Sequence, residues 1–443
     1  MKASIFCSAT LFTWATLAFP SNILQGDIKA NLLKGSDISP DTLAEITALS
    51  EKIARDLEIK SQGGHVKRAF NAEAQRISIT GDHKYIKPGS NDLRGACPGL
   101  NVMANHGYLP RNGMASITQL TAASTEVFGM SLDLSAFLST YAALVAGDLT
   151  TVSIGGKPKS NGLLVGLTSS LGLLGEPMGL SRSHNRFEVD GSPTRGDLYT
   201  TGDVDSLRLE LFEELMAMPL GPNGIDSDVM TAFRLKRVRH SIATNGHYFA
   251  GPLTFFALNP ATYLFTYRLL ANHTAENPEG YLNAETLMSF QGVTKNSAGK
   301  YEWAPGREKI PENWYRRVIG DEYSIAAFTA EAVGTELANP ELIRLGGNTG
   351  SPNSFTGVDV DHLTGNVLNA QNLLEGNNLM CLALTAALQG TPDLLGGLVG
   401  NVLLAVQKLA GVLEPVFAAL NCPEITKYDS TVFKAFPGAG SAL

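Results

Sequence analysis

The chain has 443 residues, 44% hydrophobic and 17% charged, which leaves room for a sizeable core in one large domain or two ordinary ones. Its 45 glycines and 21 prolines imply many loops. With 34 basic and 42 acidic residues the formal net charge is -8, and no block of basic residues occurs; an electrostatic footprint for nucleic acid is excluded, and the negative balance reads as a solubility feature.

In chain order, residues 1–24 read as a secretory signal peptide. Lys2 is followed by the apolar run Ala3 to Pro20, with no acid or base before Asp27. A signal anchor is the rival reading, but the run barely reaches bilayer length and contains serine and threonine in its middle. A secreted, extracellular protein without membrane association after cleavage is expected. Residues 25–84 form an N-terminal extension. Within it, Asp41 to Leu57 carries apolar residues at three-to-four spacing behind Ser39-Pro40, which predicts a helix. Ser61 to Ser90 is polar and turn-rich and reads as a linker.

The alanine-rich, apolar segment Ile117 to Leu144 suits a buried helix, and Ser206 to Met218 an amphipathic one. Ala250 to Leu270 is apolar, aromatic and helical in pattern, with Pro252 and Pro260 breaking or kinking it. Leu282 to Phe290 and Tyr323 to Leu337 are expected helices, and Leu382 to Leu420 a core helix pair. Alternating strand patterns are scarce and there is no internal repeat. The fold class is mainly α, with long loops. Asn272-His273-Thr274 is the one glycosylation sequon, usable if the chain is secreted.

Of the four cysteines, Cys7 would leave with the signal peptide, so Cys97, Cys381 and Cys422 remain, an odd number for an oxidising compartment. Arithmetic alone does not say which is unpaired. Pro98 favours a helix start directly after Cys97, and Gly107 with Pro110 marks its end, so Pro98 to His106 is predicted as a short helix with Cys97 at the N-cap. The free N–H groups of Gly99 and Leu100 and the helix dipole would favour thiolate over thiol. The competing reading of a Cys-Pro pair on its own is an inert buried cysteine or half a disulfide.

The whole run Pro88 to Gly113, centred on Arg94-Gly95-Ala96-Cys97-Pro98-Gly99-Leu100-Asn101, resembles the proximal segment of the fungal chloroperoxidase and unspecific peroxygenase family of haem-thiolate enzymes. The resemblance implies a single haem-thiolate peroxidase domain, here residues 85–430 with a tail at 431–443, and Cys97 as the axial thiolate ligand of haem b. Family members carry Pro-Cys-Pro where this chain has Ala96. Ser153-Ile154-Gly155-Gly156-Lys157 is a further landmark of the family. The block Gly179 to Asp197 resembles its Glu-x-Asp segment and implies Mg2+ held by Glu188, the Val189 carbonyl and Ser192 beside a haem propionate; an all-oxygen set suits a hard cation. The ordinary reading of that block is a solvated acidic turn. Val189 replaces the glycine or histidine of the relatives. Cys381 and Cys422 match the C-terminal disulfide of the longer peroxygenases, which would leave Cys97 unpaired.

The resemblance runs out on the distal side. Family peroxygenases use an arginine and a glutamate seven residues apart to move a proton between the peroxide oxygens. Aligning Pro260 with the family's proline puts Phe249 and Phe256 at those places, and no acid occurs from Gly246 to Thr274. Either an insertion hides the acid, for which Glu276 is a candidate, or it is absent. The polar residues nearby are His247, Thr254 and Asn259, then Tyr263 and Arg268; His247 is the candidate catalytic residue, against the plainer reading of a surface or core histidine. His106 and His184 are expected to pack or support. The expected function is a peroxidase or peroxygenase that uses hydrogen peroxide on a small organic substrate, with halide oxidation a further outcome. Alternatives are a secreted haem-binding protein or a natural-product pathway oxidase lacking the usual acid.

Overall fold

Pro98 opens helix α1 (Pro98–Asn105), and Cys97 is its N-cap in extended geometry, as the sequence predicts. The computed structural model describes residues 48–49, 51–58, 69–158, 177–393 and 399–441. The expected signal peptide and much of the expected extension lie outside the described residues.

The segment expected as one helix over Ile117 to Leu144 is two, α2 (Ile117–Phe128) and α3 (Leu132–Ala146). Gly129 ends α2 in the left-handed region (φ 63°) and donates to the carbonyls of Ser124 and Thr125. The apolar spacing continues across this cap, so periodicity alone conceals the break. α3 is buried on nearly every side. The amphipathic segment expected at Ser206 to Met218 forms α4 (Leu209–Met216).

α5 (Ser227–Thr244) was not among the expected helices, because its buried face carries Arg234 and Arg237 and so breaks the apolar pattern. Next, Pro252 leads into a π-turn, Thr254–Leu258, that continues into α6 (Asn259–Leu269). Pro260 has no N–H to give and sits in the first turn of α6; the wider turn ahead of it accommodates that loss without ending the helix. α7 (Ala284–Gln291) and α8 (Ile325–Ala338) fall close to their expected places. The expected C-terminal pair is α9 (Asn378–Asp393) and α10 (Val399–Leu420), joined by the Cys381–Cys422 disulfide with Cα atoms 5.5 Å apart.

The strands are short. β1 (Met114–Ser116) pairs antiparallel with β2 (Thr151–Ser153), β3 (Phe249–Ala250) joins β6 (Gly346–Gly347) and β7 (Thr356–Gly357), and β4 (Val293–Lys295) pairs with β5 (Tyr301–Trp303). The helices do the packing: α2 on α3, α3 on α10, α10 on α9, α6 on α5 and α8, and α1 on α7. A mainly α fold results. Among the described residues no helix is long and apolar enough to cross a membrane.

The chain is also helical at 48–49 and 51–58, inside the expected extension. Ile53 there has no exposed surface, and Leu49 and Leu57 pack against the core around it. Ile53→Ala should therefore lower the unfolding free energy by about 2–5 kcal/mol in a denaturant titration, the usual cost of emptying a filled core site.

Candidate active site

Cys97 is the one free cysteine among the described residues, and its side chain keeps accessible surface. Burial is nevertheless the largest influence on the thiol and pushes its pKa up. Against burial work the backbone N–H groups of Leu100 and Gly99 in the first turn, and then the charge of Arg195, although no hydrogen bond from the turn to the Cys97 side chain closes the cap. An exposed, unpaired cysteine at the N-cap of a helix, with the first-turn amides favouring its thiolate, is what a haem-ligating cysteine requires, so the residues present fit that group.

The loop before Cys97 is held by backbone contact. A Cβ on Gly95 would lie 2.4 Å from the Ile154 carbonyl oxygen, and one on Gly155 would lie 2.4 Å from that of Arg94. The Ile154-Gly155 landmark thus packs main chain on main chain, where only glycine fits. Asn101, in the first turn of α1, closes the loop from inside: its Nδ2 donates to the Gly95 carbonyl (2.8 Å) and its Oδ1 accepts from the Gly95 N–H (3.1 Å). Nδ2 also donates to Glu308 Oε1 at 3.0 Å, and Asn105 Nδ2 donates to the Glu308 carbonyl at 2.9 Å. His106 is structural, as expected. Its Nδ1 lies 2.7 Å from the His83 carbonyl and its Nε2 accepts from the Ile310 N–H.

The Glu-x-Asp turn is neither solvated nor loose. His184 Nδ1 lies 2.6 Å from Glu188 Oε2, with both side chains buried, and His184 Nε2 lies 3.8 Å from Asp190 Oδ2. Asn245 donates to Asp190 Oδ2 at 2.8 Å. Arg237 Nε donates to the Ser192 carbonyl at 3.2 Å, and Tyr263 donates to the Gly191 carbonyl at 2.5 Å. Asn259 Nδ2 bonds the carbonyls of Asp190 and Gly191. Burial pushes the carboxyls of Glu188, Asp190 and Asp205 upward, most strongly Asp190, which also faces Asp197. Burial pulls His184 down, but the bond to Glu188 and the nearby acids outweigh it and leave its pKa raised. This surplus of buried acid suits a cation, although one Glu188 oxygen is already taken by His184. Among the described residues no three or more His, Cys, Asp or Glu side chains are grouped to hold a metal ion.

The distal candidates separate. Phe249 and Phe256 are buried and apolar, and Phe249 packs against Phe433 and Phe436. Glu276 is fully exposed at a surface turn, which removes it as a concealed acid. Thr254 Oγ1 accepts from the Gly251 N–H, Arg268 is paired with Glu331, and Asn259 and Tyr263 are committed to the Glu-x-Asp turn. His247 is half-buried, its ring stacked on Tyr199 with centroids 4.4 Å apart. Tyr199 in turn meets His184 edge-on at 5.4 Å.

Residues 83–319 match the model of "Peroxidase, family 2". The chain belongs to that family, the haem-thiolate chloroperoxidases and peroxygenases. It is 41% identical over 393 residues to the dothistromin biosynthesis peroxidase dotB of Dothistroma septosporum, covering 88% of this chain and 93% of the relative. It is 36% identical to the aromatic peroxidase fscJ of Fusarium equiseti over 85% of this chain and 89% of the relative. An aromatic peroxygenase of Coprinellus radians is 31% identical over 54% of this chain and 85% of its own length. The chain is an enzyme of the haem-thiolate peroxidase type, using peroxide on organic substrates.

Sequence reasoning gave no role to three residues of this peroxidase site. Arg195 and Asn101 lie inside the recognised blocks, yet a motif does not say where a side chain points. Glu308 is 207 positions from Asn101 and carries no local signal. Arg234 was likewise invisible. It is buried, bonds Glu336 (3.2 Å), the Phe255 carbonyl in the π-turn (3.0 Å) and Asn259 (2.8 Å), and so clamps the π-turn to the Glu-x-Asp turn. Burial pushes the Glu336 carboxyl up to about 8, against the pull of Arg234. A raised acid binds its proton more tightly in the folded state, so this stability term is complete below about pH 4.5 and is lost as pH rises through about 8. Urea titrations of wild type across pH 5–8 should show this decline, and Glu336→Gln should flatten it.

Proposed function

We propose that Cys97 is the axial ligand of a haem b in a secreted enzyme that uses hydrogen peroxide to oxidise a small aromatic natural product. The observation that carries this reading is the exposed, unpaired Cys97 at the N-cap of α1, whose thiolate the Gly99 and Leu100 amides favour. A thiolate-held haem supplies peroxide O–O cleavage, the sulfur pushing electron density toward the iron. Asn101, Gly95 and Gly155 hold the loop that carries Cys97 against the start of α1. Glu188, the Val189 carbonyl and Ser192 would hold Mg2+, whose charge would answer the surplus acid of that turn. Support for secretion comes from the signal-like N-terminus and from the Cys381–Cys422 disulfide, which suits an oxidising compartment. The names of the two relatives that match along most of the chain, a biosynthesis peroxidase and an aromatic peroxidase, favour the pathway-oxidase reading over a general scavenger.

Haem-loaded protein should give a thiolate-type Soret band in its reduced carbon monoxide complex, and Cys97→Ala should abolish it. A band that survives the substitution removes Cys97 as ligand. Peroxide-dependent turnover of a generic phenol supports the enzyme reading; a loaded but silent protein would favour the haem-binding alternative, and turnover only with added halide would make halide oxidation the primary reaction. Chelation by EDTA should lower the melting temperature of loaded wild type and leave that of Glu188→Gln unchanged.

A further inference from the structure

In the stretch 307–310 successive side chains alternate between outside and inside: Arg307 and Lys309 are exposed, while Glu308 and Ile310 are buried. Glu308 turns inward to Asn101 of α1. Arg307 and Lys309 line an open cavity of about 520 Å³, with Lys295 at the end of β4 as a third cation. Glu285 is the acid on its wall, and Tyr85, Met288 and Val293 supply apolar surface.

The cations are held by groups other than carboxylates. Lys309 Nζ lies 4.3 Å from the centroid of the Tyr85 ring, and Lys295 Nζ lies 5.0 Å from that of Tyr301. Arg307 Nη1 donates to Thr294 Oγ1 at 3.2 Å. Among the described residues none of the three forms an ion pair. The Tyr85 hydroxyl donates to the Gly306 carbonyl (2.6 Å), so its ring is what remains for the cavity. The backbone beneath is braced. The Lys309 N–H donates to the Ser289 carbonyl (2.9 Å), and Ser289 Oγ donates to the Lys309 carbonyl (3.0 Å), which ties this stretch to α7. At Gly292 (φ 69°) a Cβ would lie 3.0 Å from the Glu308 nitrogen, a close approach that favours glycine. A fixed frame of this kind lowers the ordering cost of binding.

In a chain of formal net charge -8, three cations against one acid around a single cavity favour an anionic occupant. Guanidinium and ammonium groups suit carboxylate or phosphate oxygens. The volume lies within the range of small-molecule sites, about 300–1,000 Å³. We propose that this cavity binds a small organic dianion, with Lys295, Arg307 and Lys309 on its carboxylate or phosphate oxygens and Met288 and Val293 under its carbon body. The site does not depend on Cys97 being a haem ligand.

The test is isothermal titration of the full chain at low ionic strength with isophthalate, phenyl phosphate, inorganic phosphate and the uncharged isophthalamide. An organic dianion should saturate one site, and the tighter of the first two identifies carboxylate or phosphate as the recognised group. Isophthalamide should not bind. Salt near 1 M, where the Debye length is about 3 Å, should weaken the dianion. Arg307→Gln combined with Lys309→Gln, in protein that melts as wild type does, should weaken it by about tenfold. Glu285→Gln should tighten it, a gain that general damage would not produce. Absence of saturable binding by either organic dianion, wild-type affinity in the double variant, or inorganic phosphate binding as tightly as both overturns the proposal. If the double variant fails to fold, Glu285→Gln decides: tighter binding supports the site, and unchanged affinity overturns it.

Discussion

The placement of Cys97 at the N-cap of α1, where the first-turn amides favour its thiolate, is the constraint on which the site depends. Burial alone would keep that thiol protonated; the Gly99 and Leu100 N–H groups and the Arg195 charge oppose it. Everything nearby serves to keep the sulfur in register with those donors. Pro98 fixes the helix start, Asn101 ties the loop back to the first turn, and the glycines at 95 and 155 let two backbones touch behind it. Free Cys97 is a poor thiolate, and coordination by a metal ion would complete what the amides begin.

A second layer is electrostatic. The Glu188 to Asp205 stretch buries several carboxyls, answered by His184 and Arg237. Arg234 and Glu336 form another buried pair farther along α5 and α8. Ionic groups of this kind add little net stability compared with apolar packing, but they fix orientation, because each has few geometries that satisfy it. Asn259 joins the two groups, accepting from Arg234 and donating to the Asp190 carbonyl. The π-turn and the Glu-x-Asp turn are therefore held in one arrangement.

Much of this was legible from the residues. The short helix after Cys97, the C-terminal helix pair and its disulfide, and the mainly α class follow from local grammar and from family resemblance. The division of α2 from α3 was not legible, because an alanine-rich pattern runs through Gly129 unchanged. α5 escaped because buried arginines mimic a solvated helix until their partners, distant in sequence, are known. Glu308 could not have been found at all from spacing, since its role is created by folding. In each case the missing information is tertiary: a side chain's partner, not its type.

The π-turn at Thr254–Leu258 bears on how positions in this segment may be counted. Residues seven apart on a regular helix share a face, since two turns take about seven residues. One additional residue within a turn rotates everything on one side of it by about 100° relative to the other. Phe249 and Phe256 lie before and inside that turn, the former on a strand, so a seven-residue offset does not place them on a common face. A correspondence drawn by linear count across Thr254–Leu258 compares directions that diverge in space. Any equivalent of a distal arginine and glutamate in this chain is to be sought by direction from the helix axis, so that side chains far apart in sequence become eligible for the role.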